Sequence, residues 1–139
     1  MIEVVEFKRI TDERGTLVPL EQGIDFHFDV KRVYFILGMP TNVRRGWHAH
    51  KTLKQVLVCL CGSCKVLLDD GVRQEVVSLS QPHQGLLIQP GIWREMYDFA
   101  EGTVLLTLAS DYYDEADYIR EYDEFIAYAK RSGYHGNES

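Results

Sequence analysis

Apolar and polar positions alternate with a period of two along most of this chain. Residues 2–7 alternate, and residues 31–37 are rich in Val, Tyr, Phe and Ile. Residues 54–61, 64–68, 72–79, 85–89, 92–97 and 104–109 form further short apolar runs. Side chains at i and i+2 of a strand share one face, so this patterning predicts β-strands. Breaks fall at Asp12-Glu13-Arg14-Gly15, Met39-Pro40-Thr41-Asn42, Gly62-Ser63, Pro82 and Pro90-Gly91. Asp69-Asp70-Gly71 is a strong hairpin signal, because glycine supplies the positive φ such turns need. Many short strands between Gly, Pro and Asp turns predict an all-β barrel or sandwich.

The C-terminal tail changes period. Tyr118, Tyr122, Phe125, Ile126 and Ala129 recur at helical spacing, and acidic residues precede them. The tail, about 114–131, is expected to form one helix or two short ones packed on the barrel, its aromatic stripe serving as core. With strands over about 2–109 and no linker or repeat, residues 1–139 are expected to form a single domain.

Composition narrows the function. Hydrophobic residues make up 45% and charged residues 26%, the balance of a soluble globular protein. No apolar run approaches a membrane span, and the acidic, alternating N-terminus is unlike a signal peptide, so a cytoplasmic protein without a membrane partner is expected. The formal charge of -6 argues against nucleic acid as a partner, since phosphate neutralisation needs a basic surface. Local cations remain at Lys31-Arg32, Arg44-Arg45, Lys51, Lys54 and Arg94, which would suit a small anionic ligand as well as a solvated surface. Cys59, Cys61 and Cys64 are odd in number and one short of a four-ligand zinc site; in an apolar strand they read as small hydrophobes. His27, His83 and His135 read as loop or surface residues.

The candidate chemistry lies in Gly46-Trp47-His48-Ala49-His50. On a strand, His48 and His50 present two imidazoles side by side while Trp47 and Ala49 face away. Such a pair can hold a metal or move protons near neutral pH. His48-x-His50, four residues, Gln55, six residues and Gly62 match the first motif of the cupin barrels, and Gly85-x4-Pro90-Gly91-x2-Arg94 approximates the second. Where metal cupins carry a glutamate and a further histidine, this chain has Gln55 and Arg94. The carboxylate is missing, and a guanidinium in the cavity repels a cation. At a nominal 4 Å and an effective dielectric of ~20, that repulsion is about 4 kcal/mol per unit charge on the ion. The reading is a site with no metal and no cofactor.

The resemblance narrows with Lys31-Arg32-Val33-Tyr34, Arg45 to Lys51, Gln55 to Leu60, Gly62-Ser63-Cys64, Leu68-Asp69-Asp70-Gly71, Trp93-Arg94-Glu95-Met96 and Ala109-Ser110-Asp111-Tyr112-Tyr113-Asp114-Glu115. In order and spacing these resemble the dTDP-4-keto-6-deoxyglucose 3,4-ketoisomerases. That resemblance implies a cupin (jelly-roll) subunit of two antiparallel sheets, a homodimer with exchanged N-terminal strands, no metal, and dTDP-4-keto-6-deoxyglucose as substrate. It also implies a place in the synthesis of unusual deoxysugars for surface glycans. Carried over by position, His48 is the base at C3 and His50 its proton-handling partner. Tyr34 and Gln55 orient substrate or an imidazole. Arg45, Lys51 and Arg94 serve diphosphate or enediolate oxygens, Arg14 contacts ligand across an exchanged strand, and Trp93 and Tyr97 are candidates to stack on thymine. A related 3,5-epimerase and a non-catalytic sugar-binding cupin remain the alternatives.

Overall fold

The computed structural model describes residues 1–132; His135, expected at the surface, lies outside them. Twelve strands and one α-helix follow in the order β1 (Glu3–Glu6), β2 (Ile10–Asp12), β3 (Gly15–Leu17), β4 (Arg32–Ile36), β5 (Arg45–His50), β6 (Gln55–Cys61), β7 (Cys64–Asp69), β8 (Gln74–Leu79), β9 (Gln84–Ile88), β10 (Trp93–Tyr97), β11 (Val104–Ala109), β12 (Tyr118–Ile119) and α1 (Tyr122–Arg131) among the described residues. Two five-stranded antiparallel sheets result, ordered β1-β9-β6-β11-β4 and β12-β5-β10-β7-β8. This is the jelly-roll barrel that the family resemblance implies, one form of the all-β barrel or sandwich that the strand spacing predicts.

The alternation along each strand decides what enters the barrel. In β6, Leu57 and Cys59 join Val66, Leu68, Leu86, Ile88, Met96 and Leu105 in the core between the sheets. Val56 and Val58 of the same strand face outward, yet are buried beneath Phe7 and Phe26. A strand covered on both faces reads as an unbroken apolar run, which is why β6 does not alternate. On the other sheet, Ala49 and Trp93 face outward and are covered by Ile119 and Phe125. Truncating Phe125, which is fully buried, to alanine would cost about 3–5 kcal/mol.

The tail departs from a continuous helix. Glu115–Asp117 form a 3-10 turn in which the Ala116 N–H donates to the Asp114 carboxylate, and the chain then extends into β12. Tyr118 and Ile119 pair with His50 and Ala49, so Tyr118 belongs to a sheet edge and not to a helix. The helical spacing holds only from Tyr122 onward, where Tyr122 and Phe125 pack on Trp93. Tyr118 enters the helical pattern through its distance from Tyr122 alone, and strand pairing to β5 overrides that local signal.

The hairpin β2–β3 stands outside both sheets, and all six of its residues are exposed. Strand β4 closes one sheet as an edge and turns Val33 and Phe35, each more than half exposed, to solvent. No helix among the described residues is long and apolar enough to cross a membrane.

Candidate active site

His48 and His50 come from β5, whose geometry is set by a bulge two residues earlier. The register against β10 shifts so that Arg94 faces His48 and Glu95 faces Gly46. Gly46 and Trp47 absorb the extra residue with φ of 96° and 58°. A side chain at Gly46 would place its Cβ 2.7 Å from the Arg94 carbonyl oxygen, so glycine is required twice over. The Gly46 carbonyl lies 2.9 Å from His48 Nδ1 and is an acceptor only, so Nδ1 carries the proton and donates it. That leaves Nε2 of His48 as a lone-pair acceptor.

His50 is held the same way by a different partner. Its Nδ1 lies 3.2 Å from Asp117 Oδ2. Asp117 is pinned in turn by the Thr52 hydroxyl, the Thr52 N–H and the Leu53 N–H. Burial pushes the Asp117 carboxyl upward, but the Thr52 and Leu53 donors and His50 outweigh it and hold it below the usual aspartate range. The carboxylate therefore accepts the Nδ1 proton, and Nε2 of His50 is again an acceptor. The two rings meet edge to face with centroids 4.9 Å apart. Tyr118 covers both, at 5.0 Å from His48 and 4.3 Å from His50.

Both imidazoles are neutral at pH 7. Burial, then the charge of Arg94, pushes His48 down to about 4. Burial, Arg94 and His48 push His50 down to about 3, against the pull of Asp117. Arg94 itself lies wholly inside the barrel, and burial lowers it to about 10, so it stays charged. Its Nη1 donates to Gln55 Oε1, and Nε and Nη2 donate to the Ile92 carbonyl. Gln55 Nε2 then donates to the Tyr34 hydroxyl at 3.0 Å, which leaves the Tyr34 proton free to point elsewhere. Two imidazoles flanked by an amide and a guanidinium suit proton transfer and electrostatic stabilisation better than a divalent ion, which would meet the Arg94 charge at once. Among the described residues, no cluster of three His, Cys, Asp or Glu side chains could hold a metal.

The fold thus brings His48, His50, Tyr34, Gln55 and Arg94 together, and it separates the other candidates. Trp93 is buried beneath α1, with Nε1 donating to Glu95 Oε2 at 2.8 Å, so a thymine cannot reach its ring. Tyr97 lies on the same outer face of β10, under the Arg44 guanidinium at 4.0 Å. Both corrections follow from pleating: Trp93 and Tyr97 have the parity opposite to Arg94, so the three cannot share a face. Arg45 is exposed at the start of β5 and pairs across to Met96. Lys51, just past β5, lines a second cavity of about 550 Å³ with Leu68, Pro90 and Tyr128. Arg14 is exposed at the tip of the β2–β3 hairpin and donates to Asp12 at 2.6 Å.

Three residues of the site received no role from the sequence, although Arg32 stands in the Lys31-Arg32-Val33-Tyr34 stretch. Asp117 and Tyr118 meet the histidines from the tail, and Arg32 lies on the same face of β4 as Tyr34. Arg32, His50, Thr52, Tyr112, Asp117 and Tyr118 line a cavity of about 380 Å³. The nearest signal was the run 109–115, which carries the family resemblance but stops short of Asp117 and Tyr118 and has no periodicity to announce a site.

Comparison with known proteins agrees with this geometry. The family described as FdtA: WxcM-like, C-terminal, matches residues 1–130. The TDP-4-oxo-6-deoxy-alpha-D-glucose-3,4-oxoisomerase of Aneurinibacillus thermoaerophilus is 51% identical over 126 residues, covering 91% of each chain. The crystal structure of QdtA, a sugar 3,4-ketoisomerase from Thermoanaerobacterium thermosaccharolyticum, in complex with TDP, superposes with a TM-score of 0.91 at 50% identity, over 94% of this chain and 96% of that one. A histidine-to-asparagine mutant of QdtA, in complex with TDP-4-keto-6-deoxyglucose, superposes with a TM-score of 0.91 at 49% identity, over 94% of both chains. With a jelly-roll barrel, a paired-histidine interior and a family match along nearly its whole described length, this chain belongs to the FdtA (WxcM-like) family.

Proposed function

We propose that this protein is a 3,4-ketoisomerase of a TDP-4-keto-6-deoxyhexose and that its two imidazoles carry the protons. The observation that carries the mechanism is that both rings are neutral and both have Nδ1 engaged, leaving two Nε2 acceptors in one barrel interior. Moving a carbonyl from C4 to C3 begins with loss of the C3 hydrogen, acidified by the neighbouring ketone. His48 takes that proton, and the C–H electron pair becomes the C3=C4 double bond of an enediolate. His50 manages the oxygen protons, removing one from the C3 hydroxyl as that carbon becomes the ketone. A proton returned to C4 from an imidazolium, and the oxygen proton passed by His50 to O4, complete the isomerisation, with no net oxidation and no external acceptor. Arg94 supplies a fixed positive field as negative charge develops, and Gln55 holds Arg94 and Tyr34 in register.

The relatives named for TDP sugars support a nucleotide-linked sugar as the substrate, and a cytoplasmic location is part of the same reading. We further infer a homodimer with exchanged N-terminal strands. Ile10 and Leu17 of the β2–β3 hairpin, Val33 and Phe35 of β4 and Leu37 just past it are all more than half exposed, an apolar surface that a second copy would cover. The exchanged hairpin carries Arg14 toward the partner's ligand.

The deciding experiment is incubation with TDP-4-keto-6-deoxyglucose in D2O, followed by NMR. The expected result is a 3-keto product with deuterium at C4. A His48→Asn enzyme is expected to bind TDP normally and to lose both turnover and exchange. Turnover in that variant at the wild-type rate would end the assignment of His48, and no exchange in the wild type would leave a sugar-binding barrel without proton transfer.

A further inference from the structure

Three buried side-chain nitrogen or oxygen atoms among the described residues have no hydrogen-bond partner: Arg32 Nε, His50 Nε2 and Glu75 Oε1. Glu75 Oε1 faces the Met1 ammonium at 3.9 Å. The other two belong to residues that line one cavity, and they are of opposite kinds. Arg32 Nε–H is a donor without an acceptor; His50 Nε2, with Nδ1 committed to Asp117, is an acceptor without a donor. A buried polar atom left unpaired costs about 1–3 kcal/mol, so two of opposite sense on residues that line one cavity point to a ligand that satisfies both.

The other arginines near the site are already engaged. Arg94 donates to Gln55 and Ile92, Arg120 to Glu115, and Arg44 to Glu95. Arg32 rests on the Tyr34 ring at 5.2 Å, and its Nε–H has no acceptor among the described residues. Its charge reaches the chemistry: burial raises the Tyr118 hydroxyl above its usual range, and Arg32 is among the charges that oppose that rise. A diphosphate is the wrong occupant for this cavity, because Asp111, Asp114 and Asp117 line it as well and would repel a polyanion. The fitting group is neutral and carries one acceptor beside one donor.

We propose that Arg32 is a catalytic residue that hydrogen-bonds the C4 carbonyl oxygen of the keto sugar and stabilises the enediolate, while His50 Nε2 receives the adjacent C3 hydroxyl. An α-hydroxyketone presents that acceptor and donor on neighbouring carbons. As the C3–H pair becomes the C3=C4 bond, the C4=O π pair moves onto O4, and Arg32 meets the new negative charge. The C3 hydroxyl proton goes to His50 as the C3 carbonyl forms and passes on to O4. The proton that His48 took from C3 is balanced by the one delivered to C4, so both imidazoles end neutral. Arg94 then acts as a buried charge at one remove, and Arg32 as the contact donor. This assignment rests on the isomerase reading above and names its electrophile.

The test compares wild-type, Arg32→Met and Arg32→Lys enzymes with TDP-4-keto-6-deoxyglucose, with TDP affinity by calorimetry and rescue by guanidinium chloride. Arg32→Met is expected to lower kcat by about 10²–10³-fold, with TDP affinity within about threefold of wild type. Added guanidinium is expected to restore activity by about tenfold or more, which no merely structural residue would allow. Arg32→Lys, which keeps the charge and loses the fork, is expected to lose about tenfold in kcat; it carries the test if the Met variant does not fold. A wild-type kcat in either variant overturns the proposal. So does a loss that guanidinium does not restore, or one that appears as weakened TDP binding. A wild-type enzyme that leaves the keto sugar unchanged overturns instead the isomerase reading beneath it.

Discussion

Asp117 and His50, 67 residues apart in the chain, meet at 3.2 Å and fix which imidazole nitrogen is free. Asp117 is a positioning residue: it touches His50, and its own position is set by Thr52 and Leu53. A carboxylate can only accept, so it selects the Nδ1–H tautomer. It also favours the imidazolium once a proton arrives, which gives His50 a reason to accept one from so buried a place.

Replacing Asp117 by Asn tests that selection. An amide can donate to Nδ1 and turn the proton to Nε2, the wrong nitrogen. The expected result is a fall in kcat of about 10²-fold or more, with TDP affinity unchanged, because the fold of the cavity is retained. Steady-state kinetics beside TDP calorimetry would read it; an unchanged kcat would show that His50 needs no tautomer control.

The pH profile should lack the usual histidine limb. A histidine whose folded pKa is depressed resists protonation, so both rings remain bases well below the ordinary value of 6.5. The acid limb of kcat/KM is therefore expected below about pH 5. Stability shifts in the same direction. The unfolded chain takes up protons at these residues as pH falls through 6.5 while the folded chain does not, so their contribution is fully present above that pH and declines from there toward about 4 and 3. Rates and urea midpoints across pH 4 to 8 would measure both. An acid limb at 6.5 would contradict the burial of the pair.

Gly46→Ala should damage stability and chemistry together. The new methyl group would lie 2.7 Å from the Arg94 carbonyl oxygen at a φ of 96°. A cost of about 2–4 kcal/mol in unfolding free energy is expected, from steric overlap and left-handed strain. The Gly46 carbonyl that orients His48 must shift as well, so kcat is expected to fall in the folded fraction. Thermal melts and kinetics on the same preparation separate the two effects.

Phe35→Asp addresses the apolar edge. Phe35 is 60% exposed, so a charge there costs an isolated chain little. If a second copy covers this face, the aspartate is buried unpaired at the interface, and the dimer is expected to weaken by about tenfold or more in dissociation constant. Sedimentation velocity on wild type and variant gives the answer, and identical profiles would place the interface elsewhere.

Incubation with a strong chelator followed by desalting is expected to leave activity unchanged. A carboxylate-free pair of histidines beside the Arg94 charge is a poor divalent site. A loss of activity reversed by added iron would contradict the donor-set argument.

Much of this was legible in the chain by itself. Period-two patterning and turn residues determine the strands, because exposure on one face of a sheet writes directly into the sequence. The His48-Ala49-His50 spacing determines that two imidazoles share a face, since pleating permits nothing else, and the Gln55 and Arg94 substitutions speak against a metal from chemistry alone. Even the exclusion of Trp93 and Tyr97 from the cavity was available, in their parity relative to Arg94. Only the tertiary structure decided which residues reach the histidines from afar. Asp117 and Tyr118 arrive through a two-residue strand that no propensity announces, and Arg32 is distinguished from the other arginines by what it fails to touch. Local sequence encodes the direction of a side chain relative to its own strand. Which nitrogen of His50 is protonated depends on Asp117, 67 residues away, and that pairing exists only once the barrel has closed.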